Sequence, residues 1–148
     1  MANQIKLKII TPEKTVFEEM VDSVTIPTTE GEIGVFPMHI PLVSALASGD
    51  IVAKRGDDVV PMAVSGGFIE VKPGSDGVTE VAVLADFAEH VAEISEDAVA
   101  KAKARAEELK AMKDKGEVVD FEHFAAELER SLTRVRVADK WRGKKYRR

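Results

Sequence analysis

The sequence predicts a β-plus-α chain: an antiparallel β-sandwich over residues 1–86, followed by an antiparallel two-helix hairpin with a basic tail over residues 87–148. Three observations carry this. Short runs rich in β-branched residues recur through the first part with no helix-length segment between them. Near Asp86 the hydrophobic period changes from two to about 3.6, and Ala, Glu and Lys take over the composition. Beyond that point a Lys-Gly stop at Lys115 and Gly116 divides two amphipathic stretches.

The strands come first. Residues 5–10 alternate apolar and Lys from Ile5 to Ile9, which is a strand with one buried face. Thr11, Pro12, Glu13 and Lys14 then turn the chain. Further strands are expected at residues 16–21, 22–27, 50–54, 59–64, 68–72 and 78–84, with residues 42–46 adding one more. Strands at this spacing make a compact sandwich or flattened barrel. Among them, residues 30–46 (EGEIGVFPMHIPLVSAL) hold Gly31, Gly34, Pro37 and Pro41, which exclude a helix and remove two ladder donors. An ordered docking loop is expected there, with Ile33, Val35, Phe36, Ile40, Leu42 and Val43 turned inward and Glu30, Glu32 and His39 at its polar edge. Gly66 and Gly67 read as a bulge or tight turn between strands rather than a phosphate cradle, because no helix N-terminus follows.

The helices follow. Ser95 is placed to cap the first, with Glu96 and Asp97 in its first turn, where negative charge suits the helix dipole. Ile94, Ala98, Ala102, Ala106, Leu109 and Met112 fall near one face. Asp120 caps the second, in which Phe121, Phe124, Leu128, Leu132 and Val135 lie within a stripe about 80° wide. A turn at residues 116–119 should fold the two into a hairpin. Such a hairpin has little core of its own, so it should depend on docking for most of its stability.

Composition excludes more than it suggests. Hydrophobic residues make up 45% of the chain and aromatics only 5%, so the core must be built from Val, Ile, Leu and Ala. Without cysteine there is no disulfide, thiolate nucleophile or Cys-based zinc site. His39, His90 and His123 carry no metal-ligand spacing, so no metal site is expected. No P-loop, dinucleotide fingerprint, HExxH, GxSxG or EF-hand is present, and no catalytic residue is expected. Glu18-Glu19 and Asp57-Asp58 read as solvated charges. Nowhere are there 18 consecutive apolar residues, so a cytosolic chain without direct membrane insertion is expected, free to attach to a membrane complex.

Charge is unevenly spread. Residues 1–88 hold 6 Lys+Arg and 13 Asp+Glu (net −7), residues 89–129 hold 6 and 12 (net −6), and residues 130–148 hold 9 and 1 (net +8). Such a tail favours an acidic partner. If the second helix continues past Val135, Arg130, Arg134 and Trp141 fall on the side away from the apolar stripe, with Arg136, Lys140 and Lys144 in a neighbouring column. Trp among arginines suits a contact face. From Gly143 onward the chain reads as a solvated tail.

Five pieces in order resemble the epsilon subunit of bacterial F-type ATP synthases: residues 8–17, 30–46, 63–71, 81–89 and 125–138. The resemblance implies a sandwich of about ten strands that binds the gamma subunit and the c-ring, with Glu30, Gly31, Glu32, Met38 and His39 as contacts. It implies a hairpin that folds down on the sandwich or extends to lodge among the alpha and beta subunits through Arg130, Arg134, Arg136, Lys140 and Trp141, inhibiting hydrolysis. The role implied is a non-catalytic rotor subunit of the central stalk, coupling ion translocation to ATP synthesis on the cytoplasmic side of the bacterial inner membrane, without nucleic acid. Some relatives bind ATP through the pattern I/L-D-x-x-R-A. Here Glu89, Ile94, Arg105, Arg130 and Arg134 match, but Ser95, Ala98 and Val99 replace the Asp, Arg and Ala, so ATP binding is expected to be weak or absent and no cofactor is assigned. The alternative is a stand-alone nucleic-acid or acidic-protein binder using the basic tail.

Overall fold

The computed structural model describes residues 3–117 and 120–148. Eight strands lead into a 3-10 turn and two helices: β1 (Ile5–Ile10), β2 (Thr15–Val21), β3 (Ser23–Thr28), β4 (Gly31–Val35), β5 (Leu42–Ala45), β6 (Gly49–Arg55), β7 (Asp58–Pro73), β8 (Thr79–His90), the turn Val91–Glu93, α1 (Glu96–Asp114) and α2 (Phe121–Trp141).

One bend makes two layers from this sheet. β7 and β8 pair antiparallel along their length, from Met62↔His90 to Pro73↔Thr79. In the middle of β7, Gly66 and Gly67 hold φ of +70° and +113°, and a Cβ on Gly67 would be driven into the carbonyl oxygen of Leu84. The glycine pair is therefore a bend within one strand rather than a turn between two. After it, β7 pairs with β5, and the facing part of β8 pairs with β1, which pairs with β2. Before it, β7 pairs with β6, then β3, then β4. One layer runs β2-β1-β8-β7-β5 and the other β8-β7-β6-β3-β4, so eight strands supply five segments to each layer. The sandwich is as predicted, except that β1 runs parallel to β8.

Between the layers, alternate residues interdigitate. Ile5, Leu7 and Ile9 of β1, Ile26 of β3, Ile51 of β6, Met62 and Val64 of β7, and Val83 of β8 are all fully enclosed. Three strand bounds differ from expectation. Residues 31–35 form β4, because Gly31 at φ +115° closes a hairpin with β3. The two strands expected on either side of Gly66-Gly67 are one strand, since the bend keeps the ladder with β8 in register. β8 continues through Asp86 to His90, past the change of period, because its last residues still pair with β7.

Both helix caps form as the sequence suggests. Ser95 Oγ accepts from the Ala98 amide at 3.0 Å, and Asp120 Oδ1 from the His123 amide at 3.1 Å. Glu96 pairs with Arg142 and Arg105 with Glu127, so the helices are antiparallel. Of the turn expected at residues 116–119, Val118 and Val119 lie outside the described residues. α1 buries Val99, Ala102, Ala106 and Leu109. The second helix departs from its single stripe, because it is a middle layer: α2 packs on α1 with one side and on β6, β7 and the 3-10 turn with the other. At about 100° per residue, Leu128, Leu132 and Val135 share one side, and Thr133, Val137 and Trp141 lie opposite. Phe121, expected on the stripe, is 64% exposed at the start of the helix.

Candidate functional site: an apolar face and a charged seam

The stretch expected to turn its apolar residues inward turns half of them out. The amide of His39 donates to the carbonyl of Phe36 at 3.2 Å, closing a turn with Pro37 second and Met38 third. Met38 has φ +68°, so it occupies the slot glycine normally takes in a type II turn. Its amide donates to Oγ1 of the buried Thr79 at 2.7 Å, which pins the backbone while the side chain stands 79% exposed. Phe36 and Ile40 flank it, 62% and 74% exposed. Val35 is the last fully buried residue before the turn, and Ile33 and Leu42 pack partly on the core. Val43 faces outward because strand alternation sends it opposite to Leu42.

Register extends this surface. Ala45 pairs with Phe68, Phe68 with Leu84, and Leu84 with Ile10, a row across four strands on the outer face of the layer that holds β5. Phe68 and Leu84 are more than half exposed. Large apolar side chains exposed in such number on one side of a fold suit an interaction site. Glu30, Gly31 and Glu32 are exposed where β3 turns into β4, and His39, half-buried, donates Nδ1–H to the Ile40 carbonyl at 2.6 Å.

The opposite outer face, on β6 and the first part of β7, is covered by α2. Here the basic residues meet carboxylates of the same chain. Arg134 Nε lies 2.8 Å from Glu89 Oε2, with its guanidinium over the Phe87 ring at 4.8 Å, and Arg130 stacks over the same ring at 5.7 Å. Lys140 and Trp141 both reach Asp50 on β6. Arg136 turns to Glu129 of its own helix and is largely exposed. The tail expected to be solvated is tied down. The Arg147 amide donates to the Val59 carbonyl at 2.8 Å, and its guanidinium grips Glu19 at 3.0 and 2.6 Å. That guanidinium holds the Glu19 carboxyl below its ordinary value, chiefly by hydrogen bonding and then by charge. Tyr146 joins Trp141 edge to face at 5.9 Å in a small cluster with Ala63, Val91 and Val137.

Glu89, Arg105, Arg130 and Arg134 line one cleft of about 740 Å³ beside the hairpin. Ile94 lies elsewhere, in the cluster around Val137. Glu127 engages Arg105 at 2.6 and 3.2 Å and Glu108 adds a third contact at 2.9 Å, which raises the guanidinium's pKa and lowers that of Glu127. Two of the cleft's arginines, Arg105 and Arg134, are thus already neutralised. No group of three His, Cys, Asp or Glu could hold a metal among the described residues. His90 uses Nε2 on the Val16 carbonyl. Sequence reasoning read Glu19 as a solvated charge and missed Asp50, Thr79, Phe68 and Leu84; among the missed residues only the acid opening an otherwise apolar strand, Asp50 in GDIVA, left a signal.

Residues 4–91 match the family model described as the ATP synthase delta/epsilon chain, β-sandwich domain. The chain belongs to the ATP synthase epsilon family. It is 38% identical over 139 residues to the ATP synthase epsilon chain of Desulforamulus reducens, covering 94% of this chain and 100% of that one. To the epsilon chain of Nitratidesulfovibrio vulgaris it is 45% identical over 138 residues, covering 93% and 97%. Among solved structures it resembles a chain of the Euglena gracilis mitochondrial ATP synthase, OSCP/F1/c-ring in rotational state 1, with TM-score 0.68, 28% identity, and 88% and 79% of the two chains covered. The family resemblance of the sequence is borne out. An epsilon-family chain is a subunit of the ATP synthase and not its catalytic subunit. No helix among the described residues is long and apolar enough to cross a membrane.

Proposed function

We propose that this epsilon-family chain is a non-catalytic central-stalk subunit that joins the gamma subunit and the c-ring through its bare sandwich face, and that its hairpin restrains ATP hydrolysis. The observation that carries the reading is the outward set Phe36, Met38, Ile40, Val43, Phe68 and Leu84. Such a surface is costly in water and suits a largely apolar partner. Glu30, Gly31, Glu32 and His39 would form the polar rim of that contact. The hairpin would reach the alpha and beta subunits with Arg130, Arg134, Arg136, Lys140 and Trp141 once Arg134 leaves Glu89 and Lys140 and Trp141 leave Asp50. The assembly would lie on the cytoplasmic side of a bacterial inner membrane and transmit ion-driven rotation.

The nucleic-acid alternative loses support, because Arg134, Lys140 and Arg147 are occupied by Glu89, Asp50 and Glu19. The two readings separate in a pull-down at low and high salt. Capture of a gamma–c-ring complex that persists at high salt is expected; nucleic-acid binding that falls steeply with salt would overturn the proposal. Removing residues 130–148 should raise the ATPase rate of the reconstituted complex. ATP itself should bind weakly or not at all, since the cleft's Arg105 and Arg134 already have partners. Micromolar affinity in a calorimetric titration of the full chain would contradict this.

A further inference from the structure

Asp50 is the second residue of β6, on the face that α2 covers, and its side chain is only 9% exposed. Register pairs it with Ala63, which packs with Val91 and Val137 beneath the helix. Both carboxylate oxygens are engaged from the last turn of α2. Lys140 Nζ lies 3.0 Å from each of them, and Trp141 Nε1 donates to Oδ2 at 2.8 Å. Two neighbouring residues thus deliver one charge and one neutral donor to a single acid.

The seam around this contact is not built for permanence. Two turns earlier on the same side of α2, Thr133 is 1% exposed and its Oγ1 finds no hydrogen-bond partner among the described residues. It borders a cleft of about 150 Å³ at the edge of the seam, together with Ser48, Asp50, Val137 and Lys140. Here a buried hydroxyl is left without compensation, and the ion pair recovers in attraction little more than it loses in hydration. When α2 lifts, Thr133, Asp50 and Lys140 all regain water, so opening strands no polar group. Docking then depends on how well the contacts to Asp50 offset that lost hydration.

We propose that Asp50 is the catch of a releasable arm: by holding Lys140 and Trp141 together, its carboxylate sets how much of the time α2 lies docked on the sandwich. This rests on reading the hairpin as a movable arm. Hydrogen exchange of the full chain, followed by mass spectrometry in peptides from α2 and from β8, tests it. With Asp50→Asn, α2 should exchange about tenfold faster while β8 is unchanged. Trp141→Phe, which keeps an aromatic ring there but removes the donor, should give a smaller acceleration in α2 alone. Thr133→Val should slow α2 by relieving the uncompensated hydroxyl. If α2 opens independently of β8 but Asp50→Asn and Trp141→Phe leave its rate unaltered, the catch is refuted and the movable arm stands. If α2 in the parent exchanges only in step with β8, the arm does not open by itself and both ideas fall.

Discussion

The two outer faces of the sandwich differ in kind. The face on β5, β7, β8 and β1 is bare, with Phe68 and Leu84 standing out of the sheet beside a charged row that holds Lys8 and Glu70. The face on β6 and the first part of β7 is covered by α2, and Asp50 and Glu89 with Glu19 nearby hold the arm by charge and hydrogen bonds. An apolar contact gains from burial wherever water is excluded and loses little to salt. A charged seam is nearly balanced against hydration and responds to small changes. The first suits lasting attachment, the second reversible contact.

The largest expected effect lies where the two faces part. Gly67→Ala would drive a Cβ into the Leu84 carbonyl at a positive φ, and should destabilise the chain by more than about 3 kcal/mol, read from denaturant unfolding. Retention of parental stability would mean that the bend does not create the two layers. Next, Phe68→Asp places a charge on the bare face. Affinity for a gamma–c-ring complex should fall by about 30-fold or more, while the melting temperature of the free chain moves little. Equal losses in both would show that the residue serves packing rather than a partner. Met38→Gly should move the two measurements apart: about 1 kcal/mol more stability from relief of the left-handed turn, with weaker docking from the lost side chain.

The smallest effect concerns acid. The folded Glu19 carboxyl is held below its ordinary value of 4.5 by Arg147, so protonation is harder in the folded state than in the unfolded one. Its contribution, about 0.5–1 kcal/mol for a partly exposed pair, is complete above the ordinary value and is lost as pH falls through the lowered one. Melting temperatures recorded downward from pH about 5 should therefore drop less in Glu19→Gln than in the parent. Identical slopes would remove Arg147 from the seam.

Much of the fold is legible because its causes are local. Alternation in β1, the caps at Ser95 and Asp120, and the bend at Gly66-Gly67 each follow from residues within a few positions of one another. The surfaces are less legible. Phe36, Ile40 and Val43 read as interior because an interface has the composition of a core, and hydropathy cannot distinguish them. The tail from Gly143 reads as solvated, and Arg134 and Lys140 read as a face for a partner, because Arg134, Lys140 and Arg147 meet acids 45, 90 and 128 residues away in sequence. Register across the bend, which aligns Phe68 with Leu84, is likewise absent from any short window.

The order of stacking has one more consequence. The earlier helix of the hairpin touches the β module mainly by way of its younger neighbour, so it travels as cargo. Its solvent side can change sequence, or even length, without disturbing the grip. Within the hairpin, variation that alters arm behaviour should therefore map to α2 and the tail that follows it, not to the outer side of α1.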